Sequence, residues 1–342
     1  MKIAFTSCIN ITQYPNQPWW KDIEEQDPDY LFLLGDNIYM DYPLLKEPFK
    51  YELKLMSAIN YQSKMENHYE NQFKESSFKS LFDKLNQENR LFGIWDDHDF
   101  LWNNSRGLTL LASKDSLKYE IKEKIDISRR LFHQYFKNCS SNLPELYYLI
   151  DTPLARVIFL DARSYSEKAG VNSLLLGNTQ FEYLEKSLNH DRKYTIICSG
   201  QTLTEKRERD QIVSKENWSG YPMELVKLCR MIKDMSNVIF LSGDIHKNKF
   251  VAPVTLSDIK RIVKPGNVSD KEFKTLKTPI QFISSGFALS MKGVLKNWAM
   301  LNIDDEGLSI NYFKKHSKDK LKTTLDIDTT NQASKWLQEN KF

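Results

Sequence analysis

The segment Asp96-Asp97-His98-Asp99 contains the residue types that most clearly suggest chemistry. Three neighbouring carboxylates repel one another unless a cation or hydrogen bonds compensate their charge. A solvated acidic turn is the weaker interpretation, because the apolar run Leu91-Phe92-Gly93-Ile94-Trp95 leads directly into the segment. His98 could be a metal ligand, or a general acid that protonates a leaving alkoxide, since imidazole titrates near neutral pH.

A second candidate begins at Gly35-Asp36, which follows another apolar run. Glycine lets the backbone turn sharply and lets a ligand approach closely. A lone Gly-Asp pair usually caps a turn, but here Tyr39 follows one helical turn later and Asp41 lies beyond it. A carboxylate and a phenolate at this spacing can face one ion, and phenolate is a hard oxygen ligand that suits iron(III). Taken alone, Tyr39 would be a packed aromatic residue with a solvent-facing hydroxyl.

The segment Gly243-Asp244-Ile245-His246 repeats the pattern of an apolar run followed by Gly-Asp. Residues i and i+2 of an extended segment point to the same side, so Asp244 and His246 can converge on one site. A lone histidine is more often structural. In a chain with 6 histidines, one that follows a Gly-Asp in this way is a better candidate for a metal ligand.

Cys8 and Arg163 are weaker candidates when each is taken alone. Cysteine is commonly a small buried hydrophobic residue, but at the end of the first apolar run Cys8 could supply a thiolate to a metal. Arg163 could bind a phosphate through two parallel hydrogen bonds. It could equally be a surface arginine linked to Asp161, and the sequence supports the two interpretations evenly.

Six short apolar runs without alternation are typical of strands that are buried on both faces. Each run ends in residues capable of chemistry. The runs lie at 2–5, 30–34, 91–95, 156–160, 194–198 and 238–241. Because ligands bind beyond the carboxyl ends of the strands in α/β sheets, we expect the polar residues that follow these runs to share one site.

Stretches of helical composition separate the runs, and this alternation predicts an α/β fold with covered sheets. A helical insert is expected at about 43–90, where it would shape the pocket. Segments 298–303 and 308–313 flank a polar turn and predict a C-terminal β-hairpin. Residues 314–342 are polar and charged, and we expect a loop with a short terminal helix there. One domain over 1–342 is preferred.

Composition argues against nucleic-acid and membrane partners. The 342 residues are 41% hydrophobic and 27% charged, which suits a globular protein with a large core. A formal net charge of +3 provides no strong basic field. The sequence contains no apolar run of about 18 residues and no signal-like start. We therefore expect a cytoplasmic protein with no membrane span and no nucleic acid as a stable partner.

The cysteines and the common nucleotide motifs narrow the function further. Four cysteines lie far apart, at positions 8, 139, 198 and 229, without a CxxC pair. Free thiols in a reducing compartment are the expectation. The chain lacks the GxxxxGK[ST], GxGxxG and GxSxG patterns, so the P-loop, dinucleotide-binding and α/β-hydrolase interpretations lose their usual support.

Taken together, seven segments in order resemble the alkaline phosphatase D (PhoD-like) family of metallophosphoesterases. They span roughly residues 1–250, and each lies at a plausible strand end. The segments are Ser7-Cys8; Pro28 to Tyr39; Trp95 to Phe100 with Asn103-Asn104; Leu160 to Tyr165; Leu176-Gly177 with Gln180 and Leu184; Trp218 to Pro222; and Leu241 to His246.

The resemblance implies a four-layer α-β-β-α sandwich of two mixed sheets with a two-metal centre between them. Asp36 would be the carboxylate that bridges the metals. The other implied ligands are Cys8, Tyr39, Asp97, Asp244 and His246, with Asn103 as a further candidate. The family suggests Fe³⁺ held with tyrosinate and thiolate, together with Ca²⁺ at an oxygen-rich site, and Mn²⁺, Zn²⁺ and Mg²⁺ are alternatives. Abundant oxygen donors and few histidines are compatible with this choice.

The predicted activity is hydrolysis of a small-molecule phosphate ester, with phosphomonoesters as the first substrate class. Two metal ions would activate water for in-line attack on phosphorus, His98 would protonate the leaving oxygen, and Arg163 would stabilise the phosphoryl charge. A phosphodiesterase or phospholipase-type hydrolase on the same centre is one alternative. A catalytically silent phosphate-binding protein is another, which the presence of His98 beside a full ligand set disfavours. The sequence leaves the oligomeric state open.

Overall fold

The computed structural model describes residues 1–42, 48–114, 118–139, 145–204, 217–260, 262–289, 296–315, 320–328 and 333–341. Within these ranges the strands form one seven-stranded and one six-stranded sheet. The strands are β1 (Lys2–Thr6), β2 (Tyr30–Leu34), β3 (Leu91–Ile94), β4 (Tyr148–Asp151), β5 (Ala155–Leu160), β6 (Tyr194–Ser199), β7 (Val238–Ser242), β8 (Lys249–Val251), β9 (Ile280–Ile283), β10 (Lys296–Ile303), β11 (Leu308–Lys315), β12 (Lys320–Asp328) and β13 (Ala333–Lys341).

Helices connect and cover the strands. They are α1 (Trp20–Glu24), α2 (Pro48–Leu55), α3 (Ala58–Lys74), α4 (Ser76–Gln87), α5 (Asp97–Phe100), α6 (Gly107–Leu111), α7 (Lys118–Tyr135), α8 (Gly177–Ser187), α9 (Pro222–Ile232) and α10 (Asp270–Phe273). The predicted insert at 43–90 contains α2, α3 and α4, while its residues 43–47 lie outside the described part of the chain.

Both sheets are mixed. In the first, with the order β13-β12-β11-β10-β1-β2-β3, strands β1, β2 and β3 run parallel and β10 pairs antiparallel to β1. In the second, with the order β4-β5-β6-β7-β9-β8, the four inner strands run parallel and the two edge strands run antiparallel. The carboxyl ends of parallel strands lie at one edge of a sheet, so each sheet delivers several loops to a common edge.

The two sheets pack against each other through a buried aromatic layer. The rings of Phe32 on β2 and Phe159 on β5 meet edge to face, with centroids 5.1 Å apart. The hydroxyl of Tyr148 on β4 donates to the carbonyl oxygen of Gly93 on β3 at 2.7 Å. Helices α8 and α9 bury apolar residues in a second core cluster with β5, β6 and β7. The fold is therefore a mixed α/β sandwich of two sheets with helices, as expected.

The six apolar runs are confirmed as β1, β2, β3, β5, β6 and β7, and the predicted hairpin is confirmed as β10 and β11. The prediction of a loop and a short helix for the tail is wrong. Strands β12 and β13 extend the first sheet from β11 instead, while 316–319, 329–332 and 342 lie outside the described residues. The alternation of lysine or threonine with leucine or isoleucine in β12 is a strand signal that overall polarity concealed.

Candidate metal centre and active site

The loops that follow β1, β2, β3 and β7 meet at one buried cluster. The Cys8 sulfur, a carboxylate oxygen of Asp36 and a ring nitrogen of His246 all lie within 4.8 Å of one another. The same limit holds for a second group formed by Asp36, Asp97 and His98. Asp36 belongs to both groups. The structure therefore brings together ligand types from both sheets around a single central carboxylate.

Unusual backbone conformations present the residues of this cluster. Cys8, Asp36, Asp244 and His246 have φ angles of 61°, 53°, 67° and 55°. Residues other than glycine adopt positive φ in only a few per cent of cases. Such strain persists where the surrounding structure imposes it, and it is concentrated at functional sites. Four of the sequence-predicted site residues thus share a rare conformation at strand ends.

Gly35 shows why the turn before Asp36 needs a glycine. Its φ is +89°, and a Cβ atom added there would lie 2.5 Å from Cβ of Asp96. The turns after β2 and β3 are therefore in direct contact. This close approach is what places Asp36 beside Asp97.

Tyr39 lies between the central carboxylate and the histidine. Its hydroxyl donates to Oδ2 of Asp36 at 3.3 Å and lies 3.5 Å from Nε2 of His246. The Cys8 thiol is 3.1 Å from the same Asp36 oxygen and 3.1 Å from the hydroxyl of Ser285. A thiol, a phenol, a carboxylate and an imidazole therefore converge on one small volume.

The electrostatics of this cluster favour a bound cation. Burial raises the pKa of the Cys8 thiol to about 11. Burial and the nearby Cys8 together raise the pKa of Asp36 well above its usual range. Burial also lowers the pKa of His246 to about 4. Anionic ligands are disfavoured in such a dry site until a positive charge compensates them. Oδ1 of Asp97 and Oδ2 of Asp96 are also buried and, within the described residues, accept no hydrogen bond. The residues present therefore fit metal ions.

His98 is held by a carboxylate that sequence reasoning left without a role. Its Nδ1 lies 2.5 Å from Oδ1 of Asp41, and both side chains are buried. Its ring stacks on Tyr39 with centroids 4.2 Å apart. Burial disfavours the charged ring, yet the carboxylates of Asp41, Asp97 and Asp36 together raise the pKa of His98 well above its usual value. This geometry fixes the ring and favours its protonated form.

Arg163 is completely buried, so its interpretation as a surface arginine is wrong. Its Nε donates to Oδ1 of Asp96, and its Nη2 lies 3.6 Å from Oδ1 of Asp97. Burial alone would raise the pKa of Asp97, but Arg163 and His98 lower it to about 2. In this position Arg163 holds two adjacent carboxylates in place. A role as phosphate clamp stays a prediction.

Two predicted ligands are less closely associated with the cluster. The main-chain oxygen of Asp244 lies 3.9 Å from the Cys8 sulfur, and its carboxylate is in neither ligand group of the described residues. Asn103 donates its backbone N–H to Oδ2 of Asp41 at 2.7 Å. Both assignments stay predictions.

Asp41, Asp96 and Ser285 are the contributions that sequence reasoning missed. Asp41 follows Asp36 by five residues on the same loop, and that spacing was the available signal. Ser285 bonds to the Cys8 sulfur and accepts the N–H of His246 at 3.0 Å. It follows β9, a strand that no sequence pattern had identified, so no signal pointed to it.

A ligand cluster of this kind, at the carboxyl edges of two facing mixed sheets, is the architecture of a metallophosphoesterase. The model of the family described as PhoD-like phosphatase matches residues 3–268. The chain therefore belongs to the PhoD-like phosphatase family and is a hydrolase that acts on phosphoric ester bonds. No curated protein matches it.

A solved structure with a similar fold supports this architecture, and weaker matches accompany it. One described as "Structure of PhoD" has a TM-score of 0.71 and 16% identity, covering 99% of this chain and 71% of that chain. TT1561 of Thermus thermophilus has a TM-score of 0.37 and 10% identity, covering 98% of each chain. A Vps29 single mutant from Entamoeba histolytica has a TM-score of 0.34 and 7% identity, covering 100% of this chain and 99% of that chain. Among the described helices, none is long and apolar enough to cross a membrane.

Proposed function

We propose that this protein is a phosphomonoester hydrolase with a two-metal centre bridged by Asp36. The observation that carries the proposal is that Asp36 lies within 4.8 Å of Cys8 and His246 in one group of ligand atoms and within 4.8 Å of Asp97 in a second, where His98 is assigned to proton transfer rather than to a metal. A carboxylate placed between two groups of donors can hold two ions a few ångströms apart.

The donor chemistry supports different ions on the two sides. Cys8, Tyr39 and His246 would hold a transition-metal ion, and phenolate favours Fe³⁺ there. Asp36 and Asp97, with Asn103 and Asp244 as further predicted oxygen donors, would hold Ca²⁺. Mn²⁺, Zn²⁺ and Mg²⁺ are the alternatives. When bound, such a pair polarises phosphoryl oxygens and makes water a better nucleophile near neutral pH.

His98 is the proposed general acid. The hydrogen bond from Nδ1 to Asp41 leaves Nε2 as the nitrogen that can serve the substrate. As the water oxygen forms its bond to phosphorus and gives up a proton to solvent, the bond to the leaving oxygen breaks and the proton on Nε2 moves to that oxygen. Asp41 keeps the ring oriented throughout. Arg163 keeps Asp96 and Asp97 in place and, as a clamp, would stabilise charge on the phosphoryl group.

The test combines metal analysis with two substrates. Purified protein supplemented with iron, calcium, manganese or zinc is assayed on p-nitrophenyl phosphate and on bis-p-nitrophenyl phosphate. We expect two metal ions per chain and faster hydrolysis of the monoester. Faster hydrolysis of the diester would support the phosphodiesterase alternative, and hydrolysis of neither with any metal would overturn the enzyme proposal.

A bridging-ligand variant tests the centre itself. Asp36→Asn should lose both ions and all turnover, because it removes the charge that both ligand groups share. Asp83→Asn is the matched control, since Asp83 pairs with Lys79 on the exposed face of α4. Retention of two metal ions by Asp36→Asn would contradict the bridging role.

A further inference from the structure

A cleft of about 640 Å³ lies between α3 and the loop that follows β1. Most of its lining residues carry polar groups, although their apolar atoms expose the larger area. The lining residues that matter here are Thr12, Tyr42, Lys64, Asn67, His68 and Asn71. A polar cleft of this volume is large enough for part of a small-molecule substrate.

The helical spacing of α3 builds one wall of the cleft. Lys64, Asn67, His68 and Asn71 are three or four residues apart, so they lie on one face of the helix. Tyr61, Met65 and Tyr69 lie on another face and are buried in the core. The core packing of α3 therefore holds its polar face against the cleft.

Two residues connect this cleft with the catalytic cluster. Tyr42 lines the cleft and packs against Cys8, Tyr39 and Leu289. The preceding residue, Asp41, holds His98 through a hydrogen bond. Burial lowers the pKa values of Lys64 and His68, and the Asp41 carboxylate is close enough to both to oppose that effect in part. A substrate that reaches the His98 region could therefore extend its leaving group into the cleft.

Lys64 is the cation that distinguishes this wall. It is half-buried, and burial lowers the pKa of its ammonium group. Lys74 also lines the cleft, but it pairs with Glu70 at 2.7 Å. Glu75 contributes a negative charge to the lining, and its carboxylate accepts the N–H groups of Gln17 and Phe78, which hold it in place.

The amides and the histidine of the wall supply hydrogen-bond donors. Asn71 donates its side-chain amide to Oδ1 of Asn67 at 3.2 Å, so the Asn67 amide nitrogen is the donor that Asn67 can offer to a ligand. Nδ1 of His68 lies 3.2 Å from the hydroxyl of Thr12, which fixes the ring. An ammonium group beside amide donors is a suitable environment for a carboxylate or a phosphate.

We propose that this cleft binds a second anionic group on the leaving group of the substrate, with Lys64 as its cation and Asn67 as a hydrogen-bond donor. The inference rests on the proposed phosphoester hydrolase function and narrows its substrate class. The preferred substrates are phosphoesters whose alcohol carries a carboxylate or another phosphate.

Two matched substrate pairs test the proposal and separate the two anions. 3-Phosphoglycerate and glycerol 3-phosphate differ by a carboxylate in place of a hydroxymethyl group. Fructose 1,6-bisphosphate and fructose 6-phosphate differ by one phosphate. The measured quantity is the ratio of kcat/KM within each pair. Wild-type protein should favour the more anionic member of at least one pair, and Lys64→Met should reduce that ratio about tenfold.

The controls separate charge from structure. Lys64→Arg should retain the preference because it retains the cation, and Lys79→Met, on the exposed face of α4, should leave the ratio at its wild-type value. An unchanged ratio in Lys64→Met, with normal turnover, would overturn the cleft proposal and leave the hydrolase function standing.

Calorimetric titration of the purified full chain provides a readout that needs no turnover. To keep the ligand intact, the titration uses the His98→Ala background, in which turnover is slowed. 3-Phosphoglycerate or fructose 1,6-bisphosphate should bind more weakly when Lys64→Met is added to this background, and equal binding would overturn the proposal. Absence of hydrolysis in every assay would instead contradict the proposed function, while the titration would still decide whether the cleft binds anions.

Discussion

The segments Asp96-Asp97-His98-Asp99 and Gly243-Asp244-Ile245-His246 follow parallel strands and each presents an aspartate and a histidine, but they are held differently. In the first segment, residues from other elements bind the side chains and hold them in place. Arg163 binds Asp96, Asp41 binds His98, and Asn37 donates two hydrogen bonds to Oδ2 of Asp99 at 2.9 and 2.6 Å. The position of this segment therefore depends on its partners.

The second segment is held by its own backbone. Asp244 and His246 both have positive φ, and the N–H of Ile245 donates to the carbonyl oxygen of Gly243 at 2.9 Å. Side chains contribute as well, since Ser285 accepts the N–H of His246, Asn297 donates to its carbonyl oxygen at 3.4 Å and the Tyr39 hydroxyl lies 3.5 Å from its Nε2. We therefore expect that removal of a partner side chain displaces the first segment, whereas added side-chain volume displaces the second.

The largest expected effect is on turnover, through His98 in the first segment. His98→Ala removes the proposed proton donor and should lower kcat by about 10²- to 10⁴-fold. Asp41→Asn leaves the imidazole in place but weakens both its orientation and the preference for its protonated form, and should cost about 10- to 100-fold. Steady-state assays on glycerol 3-phosphate, whose alkoxide leaving group needs a proton, measure both changes.

His190→Ala is the control for this pair, because His190 contacts Thr195 at the amino end of β6, away from the carboxyl edge. It should retain wild-type turnover. Unchanged kcat in His98→Ala would reject the general-acid role of that histidine.

The next largest expected effect is on the free energy of unfolding and concerns Arg163, the buried partner of Asp96. Arg163→Met should reduce the free energy of unfolding by about 3–5 kcal/mol, since it leaves a buried carboxylate without its cation. Urea unfolding followed by circular dichroism measures the change. Arg129→Met removes an ion pair with Asp126 at the protein surface and should cost about 0–1 kcal/mol. Equal costs for the two variants would show that the first segment does not depend on Arg163.

The smallest expected effect is a loss of unfolding free energy when Gly243, in the second segment, is replaced. A Cβ added at Gly243 would lie 2.3 Å from the hydroxyl oxygen of Ser7 and 2.8 Å from the carbonyl oxygen of Leu34. Gly243→Ala should therefore cost about 1–3 kcal/mol of unfolding free energy and displace the turn that carries His246. Thermal unfolding together with metal content per chain measures both consequences.

Gly266→Ala is the matched control, because nothing lies within 4 Å of a Cβ at that position. It should be nearly neutral. Full metal content in a folded Gly243→Ala protein would show that the second segment tolerates added bulk, which would remove the contrast with the first segment.

Strands buried on both faces were predictable because burial requires continuous apolar runs, and β1, β2, β3, β5, β6 and β7 all have them. β12 was not predictable in the same way. Six of its 9 residues are polar, and its pairing with β11 depends on an edge that only the assembled sheet provides. β8 has 3 residues, too few for a periodic pattern to be recognised.

The ligand types could be inferred from the sequence because each follows directly from a strand end that a pattern located. Their partners could not. Arg163 and Asp96 are 67 residues apart, and Cys8 and Ser285 are 277 residues apart. No local preference encodes such contacts, because they form only when two sheets pack face to face.

The sequence by itself determined which side chains stand at the strand ends, since a run of apolar residues must end where the chain leaves the core. Only the tertiary structure decided that Asp36 is common to two ligand groups, that Arg163 points inward to Asp96, and that α3 places Lys64 in a cleft that Tyr42 also lines. The physical reason is that these relations are distances between separate elements. Such distances are set by the packing of sheets and helices rather than by the preferences of neighbouring residues.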